Sequence, residues 1–447
     1  MNVKKLVCSI ISLSLLVNCG IAALPVSASA VDTDTEIYVS PDGNDSNSGS
    51  SESPFKTLER AKAEVRVHNS NMSGNIIVNI ASGVYYMDNT LEFTQADSGT
   101  NGFSVIYRGI TDENGNSPIV SGGVDISDNW ELYDESLNIY KHENIDWSFR
   151  QLYTNNDRAI RARVPNLENK ETGGPYFRAS GGDGSYPLFI GTNNEYAQKA
   201  GNDAEIIWNS SWSQFRARIE SYNSSTGRVT FKAPDNSFAW NHHTQGDTPF
   251  YLENSLAYLD SEGEWYLDKD TSTLYYKPRE GEIMNKTEII APKLETIIDI
   301  NGTDENKTEN ITFDGIQFLH SNWLAPDSYG YCSVQGGFRY QSEGGKDNSA
   351  IRGSARYDAP KSMVQLRHTK NISLINSEFS FSGSWGIMGY EDTANTFIDH
   401  NVFTKNAGGG VTMGMAGREW DDQTENEQPR TYTCLLYTSP SPRDMRR

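Results

Sequence analysis

The sequence predicts an all-β chain wound as a right-handed parallel β-helix, a single-stranded solenoid with an N-terminal capping helix and a β-rich insertion. Three observations carry the prediction. Residues 371–379 (NISLINSEF) align with residues 395–403 (NTFIDHNVF) at a spacing of 24. A second set of strand positions, Val364, Ile387 and Val411, recurs at 23 and 24. A third copy, residues 310–318 (NITFDGIQF), lies 61 residues before the first of these, one period plus an excursion of about 37 residues between Ser321 and Lys361. Short strands with Gly or Asn corners at such a period are stacked coils, each burying its apolar side only against its neighbours. Unrelated hairpins would not keep the spacing across two separate strand types. Inward positions then stack like on like: Ile372, Leu374 and Phe379 on Thr396 or Phe397, Ile398 and Phe403. Asn376 and Asn401 are 25 apart, one residue out of register, which leaves open whether that corner carries an asparagine ladder.

Upstream, residues 36–40 read as a strand and residues 42–53 as a Gly/Asn/Ser loop. That loop lacks the central Gly and closing Glu of a calcium loop and reads as a plain turn. Pro54 is placed at the first position of a helix running to Val67, with Phe55, Leu58, Ala61 and Val65 on one face. Such a helix, ahead of strands at 76–80 and 90–93, caps the open end of a solenoid. Between residues 146 and 290 the period is lost. Strand-like pieces at 150–153, 204–208, 229–231 and 273–277 alternate with Gly- and Asn-rich turns, a β-rich inserted module. The expected division is therefore cap and first coils over 31–145, module over 146–290 and further coils over 291–433.

The two ends stand apart. Residues 1–30 read as a secretory signal, with Lys4 and Lys5, an apolar run over 6–17 and Ala28-Ser29-Ala30 as cleavage site. The run is too short to span a bilayer, and Asn18 before Cys19 disfavours a lipid anchor. Residues 434–444 (CLLYTSPSPRD) read as a translated sequencing adapter, so the native chain is expected to end near Thr433 and its gene to continue.

The formal charge is −21. Setting aside Lys4, Lys5 and the net +2 of the tail leaves −25 over residues 31–433. This acidity excludes nucleic acid and anionic membrane as partners and makes a polyanionic substrate uncomfortable without a bridging cation. With Cys8 and Cys19 in the signal and Cys434 in the tail, Cys332 stands alone, which excludes an internal disulfide and a cysteine metal site. Nine Trp, 23 Tyr and 17 Phe are more than a disordered chain carries.

Several stretches carry a resemblance: YVSPDGN from Tyr38 with SPFKTL from Ser53, RQLYTNNDRAIRARVP from Arg150, YLEN from Tyr251, GEWYLD from Gly263, LYYKP from Leu274, WLAP from Trp323, Gly330-Tyr331, and QGG from Gln335. Together they resemble secreted bacterial β-helix glycosidases of glycoside hydrolase family 141, and more distantly family 120 xylosidases. Family members include a fucosidase and a xylanase, so the resemblance leaves the sugar open. It implies hydrolysis by two carboxylates, with the pair several coils after the Trp323–Pro326 signature and so beyond residue 433.

Within the chain, Asp399 and His400 at a coil corner are candidates for an acid–base element or for corner hydrogen bonding. Glu391 and Asp392 in one turn, and Glu419 and Asp421 roughly one coil on, are candidates for a carboxylate pair from adjacent coils, or for solvated loops. Trp323, Trp385 and Trp420 are candidates for stacking on sugar rings, against structural burial. The 321–361 excursion is a candidate wall over a cleft, with Gln335 placed to hydrogen-bond a sugar hydroxyl. Arg161 and Arg163 alternate with alanine and are read as solvated or paired with acids. His242 and His243 have no third ligand at metal spacing, and the Gly408–Gly410 run is a solenoid turn rather than a phosphate loop.

The expected function is a secreted glycoside hydrolase on plant cell-wall or related polysaccharide, monomeric and needing no cofactor or metal. Two alternatives remain. A polysaccharide lyase on the same fold would need calcium and a base among Arg367, Lys370 and Lys405. A non-catalytic glycan-binding or adhesion solenoid would need neither.

Overall fold

The computed structural model describes residues 34–170, 172–179, 189–209, 214–232, 235, 247–332, 340–341, 357–358, 360–390, 392–414 and 433–436. Three parallel sheets wrap a common core. The first sheet stacks Thr35–Val39, Ile76–Ala81, Val105–Ile110, Thr308–Asp314, Thr369–Ile375, Thr396–Asp399 and Thr433–Leu436. The second stacks Val84–Tyr86, Ile119–Ser121, Gln317–Ser321, Glu378–Ser382 and Val402–Thr404. The third stacks Leu91–Phe93, Ile298–Asn301, Ser362–Arg367, Trp385–Gly389 and Gly409–Met413. The chain visits first, second and third sheet in turn, so each circuit is one coil with three corners.

The 24-residue period is the register itself. Leu374 pairs with Ile398, Phe379 with Phe403 and Ile387 with Val411. The 61-residue offset holds too, with Ile311 opposite Ile372 and Phe318 opposite Phe379. Thr396, not Phe397, falls in the inward row beneath Ile372: Thr396 is buried and Phe397 exposed. Phe318, Phe379 and Phe403 form a ladder of parallel rings, 5.2 Å between centroids at each step.

Two corners differ from the sequence reading. The asparagine ladder stands at Asn310, Asn371 and Asn395, not at Asn376 and Asn401. Each side-chain amide donates to the rung before it, Asn371 to Asn310 at 2.9 Å and Asn395 to Asn371 at 3.2 Å. All three have positive φ, which asparagine tolerates best among residues with a Cβ. Asn401 instead holds the Ser377 N–H and donates to the Leu374 carbonyl.

The capping helix begins at Leu58, not at Pro54, and runs to His68. Asp45 accepts the N–H groups of Lys56 and Thr57, which fixes that stretch as loop, and Thr57 then caps the helix through the Arg60 N–H. Leu58, Ala61 and Val65 face the core, and Phe55 seals it from the preceding loop.

Between the second and third sheets of one coil the chain leaves the solenoid for a module of antiparallel sheets. Its strands run from Gly123–Asp125 to Ile289–Pro292. It has two apolar centres of its own, one around Trp208, Phe215 and Phe250, the other around Trp265, Phe149 and Tyr276. The next coil makes its own excursion from the same corner, beginning with a short helix, Ala325–Tyr329. Both digressions therefore stand over one edge of the solenoid. Among the described residues no helix is long and apolar enough to cross a membrane.

Candidate functional site

A cavity of about 480 Å³ lies where the module meets the corners between the second and third sheets. Its floor is the solenoid: Gly383, Ser384 and Trp385 from one coil, Ala407 and Gly408 from the next. One wall is the module strand region from Arg150 to Arg163 with Arg216, Tyr251 and Glu253. The excursion supplies Trp323, Pro326, Tyr331 and Pro360.

Glycine makes the close approach workable. A Cβ at Gly383 would lie 2.7 Å from Gln151 Oε1 and 2.8 Å from the Trp323 nitrogen. A Cβ at Gly409 would lie 2.4 Å from the Trp385 ring. Polar bonds then clamp module to solenoid. Asn322, fully buried, accepts from the Arg150 and Trp323 N–H groups and donates to the Ser148 carbonyl. The Tyr153 hydroxyl donates to the Phe381 carbonyl at 2.6 Å, and Arg158 Nη2 donates to the carbonyls of Ser382 and Lys405.

Behind the wall is a buried ion network. Arg150, Arg161 and Arg216 converge on Glu205, at 2.7, 3.1 and 3.1 Å, and also reach Glu253. Arg150 further pairs with Asp327 of the Ala325–Tyr329 helix, which Lys269 meets at 2.6 Å. Three guanidiniums thus face three carboxylates. Burial pushes the Glu205 carboxyl up, but the surrounding arginines outweigh it and hold it well below the ordinary glutamate value. Burial likewise pushes Asp157 up, and Lys170, Arg279 and Lys405 reverse it, leaving that carboxyl below its ordinary value. Arg161 and Arg163 share one face, with Ala162 buried on the other, but Arg163 is neither solvated nor matched with a described acid. It is 5 % exposed, its N–H groups go to the carbonyls of Pro165, Gly173 and Pro175, and its guanidinium lies 3.7 Å from the Tyr251 ring centre.

Trp323 and Trp385 both border the cavity. The other described candidates lie elsewhere. Asp399 and His400, 2.8 Å apart, occupy the corner between the first and second sheets. Asp392 sits at the corner between the third and first sheets and binds Lys307. Its carboxylate lies within 4.8 Å of ligand atoms from Asp304 and His368, and the Lys307 ammonium already provides positive charge there. Gln335, Glu391, Glu419, Trp420 and Asp421 lie outside the described residues, as do Trp240, His242 and His243. Of this arginine wall the sequence pointed to acid pairing for Arg161, which the structure shows, but not to a wall that includes Arg150, Arg158 and Arg216. Its signal was four arginines within fourteen residues, Arg150, Arg158, Arg161 and Arg163, in an otherwise acidic chain.

Comparison with known proteins bears on the module first. Residues 137–279 match the family model described as the GH141 insertion domain. A solved structure described as "Glycoside hydrolase" superposes with a TM-score of 0.73 at 24 % identity, covering 85 % of this chain and 67 % of that one. Another, titled "The complex structure of XylC with xylose", reaches a TM-score of only 0.35 at 12 % identity, covering 82 % and 53 %, too distant to support an argument. No curated protein matches the chain. The module over residues 137–279 is thus of the GH141 insertion-domain type, and the solenoid shares its fold with a solved glycoside hydrolase.

Proposed function

We propose that this protein is a secreted glycoside hydrolase that seats plant cell-wall or related polysaccharide in the cavity between module and solenoid and cleaves it with two carboxylates. The single observation that supports this reading is the position of the cavity. It is roofed by a GH141-type module, floored by glycine and serine corners that let a sugar approach the backbone, and edged by Trp323, Tyr331 and Trp385. Aromatic edges beside polar groups suit the mixed C–H and hydroxyl surface of a sugar ring.

The chemistry requires one carboxyl that holds a proton and one that does not, about 5–5.5 Å apart for retention or about 6.5–9.5 Å for inversion. Of the two carboxylates lining the cavity, Asp157 is kept ionised by its cations and Glu253 is bound by Arg161 and Arg216. Neither is suited to donate a proton, so the acid is assigned to a residue outside the described set. Glu419 and Asp421 are the candidates this sequence offers. That assignment keeps a second reading open, a glycan-binding solenoid without turnover. Incubating the full-length protein with xylan, pectin and fucosylated oligosaccharides and measuring released reducing ends separates the two. Sugar release supports hydrolysis, saturable binding without release supports the binding solenoid, and the absence of both release and binding would overturn the carbohydrate assignment.

A further inference from the structure

The charge of the cavity opposes that of the chain. The protein is formally −21, yet six cationic side chains line this one cavity against two carboxylates. Most of that positive charge is spoken for. Arg150, Arg161 and Arg216 are balanced by Glu205, Glu253 and Asp327, and Lys170 is 2.9 Å from Asp157. Arg158 and Arg163 remain, with no carboxylate partner among the described residues. Arg158 spends Nη2 on two backbone carbonyls, while its Nε and Nη1 make no hydrogen bond to any described residue. Lys269 and Lys405 lie behind and add to the excess.

Two orphaned polar atoms mark the same cavity. Gln151 is 8 % exposed, its side chain makes no hydrogen bond to a described residue, and its Oε1 is buried. Arg161, with a side chain 9 % exposed, has its Nε buried and unpartnered although both Nη atoms are occupied. A buried acceptor and donor left open beside one cavity cost free energy unless something enters to meet them. The entrant must offer a hydroxyl to Gln151 and an acceptor to Arg161, and must tolerate, or answer, two uncompensated guanidiniums.

We propose that this cavity is a subsite for an anionic sugar unit, a uronate or a sulfated sugar, with Arg158 and Arg163 answering its charge and Gln151 taking a ring hydroxyl. The inference rests on the carbohydrate reading above and narrows it to acidic glycans. Arginine suits the role because its planar fork meets a carboxylate or sulfate with two parallel bonds, and Arg158 has donors to spare. Glycine and serine at the floor bring no negative charge to oppose a bound anion, and the two carboxylates of the lining are already held by cations of their own.

The test is calorimetric titration of the full-length protein with uronate oligosaccharides, their carboxyl-reduced neutral counterparts and sulfated galacto-oligosaccharides. An anionic member is expected to bind about tenfold more tightly than its neutral counterpart at low salt, the scale of one charge-assisted hydrogen bond. Which member does so distinguishes carboxylate from sulfate. Raising salt from about 0.05 to 0.5 M should narrow the difference in the unaltered protein. Arg158→Met should bring the ratio to within about twofold, and the salt series on the unaltered protein decides the point should that variant fold poorly. Equal affinity for charged and neutral sugars would overturn the inference and leave the carbohydrate reading standing. So would a preference indifferent to both salt and Arg158. Absence of binding by any sugar, charged or neutral, would overturn both.

Discussion

Glu205 is where the module should be most sensitive to a single charge. Its side chain is 2 % exposed. Oε1 accepts from Arg150 at 2.7 Å and from both Nη atoms of Arg161 at 3.1 Å, and Oε2 accepts from Arg150 at 2.7 Å and Arg216 at 3.1 Å. Glu205→Gln keeps the volume and one carbonyl oxygen but turns an amide NH₂ toward a guanidinium. The buried set changes from three charges of each sign to an excess of one positive charge. Removing one partner of a buried network costs about 3–5 kcal/mol, because the remaining charges cannot recover water. The lower figure corresponds to roughly a hundredfold in a local opening equilibrium.

Hydrogen exchange is the assay suited to this, since a solenoid with an inserted module need not unfold in one step. Amides of Glu205–Asn209, Gln214–Asn223 and Thr248–Glu253 should exchange about a hundredfold faster in the variant, while those of Thr369–Ile375 stay as they were. The half-buried helical residue Glu64, paired with Arg60 and His68, provides the control, where Glu64→Gln should cost no more than about 1 kcal/mol for its two i,i+4 contacts. The pH dependence has a definite sign. A carboxyl held below its ordinary value contributes stability that is present above about pH 4.5 and lost as pH falls through the depressed folded value. The gap between Glu205→Gln and the unaltered protein should therefore narrow in acid. Acceleration of less than about fivefold at pH 7 would refute the argument, since the three arginines would then be finding water or another partner.

Further expectations follow from the solenoid and from two other buried groups. Phe379→Ala, in the middle of the ring ladder, should cost about 3–5 kcal/mol in denaturant unfolding, and a loss under about 1 kcal/mol would mean the ladder closes up around the gap. Asn371→Ala should cost about 1–2 kcal/mol through positive φ and two lost ladder bonds, with Asn371→Gly recovering part of it; equal loss in both would place the whole effect on the bonds. Burial pushes His320 down to about 4, so stability should rise with pH from about 4 to 6.5 as the unfolded chain gives up its proton, and His320→Gln should flatten that rise in a melting-temperature series. Burial pushes Glu264 up to about 8 because its three backbone N–H donors stand 3.2–3.3 Å away, too long to compensate. Stability should then fall as pH rises from about 4.5 to 8, and Glu264→Gln should remove that fall.

Much of the solenoid was legible because stacking repeats chemistry at a fixed interval. Phe318, Phe379 and Phe403 are the same position on three rungs, and the spacing alone aligned them. Corners were less legible. They are held by single side-chain bonds to a neighbouring rung, which is why the ladder fell at Asn371 and Asn395 rather than at Asn376 and Asn401. The helix start was misplaced because Asp45, eleven residues ahead of Lys56, decides it from a loop. The cavity was the least legible part. Its wall, floor and edge come from three segments brought together by two digressions, and no period relates Gln151, Arg216 and Gly383. Net charge pointed the wrong way as well, since acid spread over the surface hid a basic enclosure.

The three-cornered coil also limits where chemistry on a cavity-bound sugar can come from. The cavity sits at the start of Trp385–Gly389, and Asp392 follows the end of that strand. Five residues at about 3.3 Å each put roughly 16 Å between the two ends, several times the reach of a carboxylate. Asp399 and His400 are at a third corner, separated from the floor by the Val402–Thr404 strand. A carboxylate pair serving this cavity must therefore rise from the same corner on successive rungs, or from a segment that folds back over it. Asp392→Asn and Asp399→Asn should then leave oligosaccharide affinity within about twofold of the unaltered protein, while Gln151→Leu weakens it by about tenfold through one lost buried hydrogen bond. A sharp loss of affinity in either aspartate variant, with module and solenoid still protected from exchange, would move the binding site to a different face of the coil.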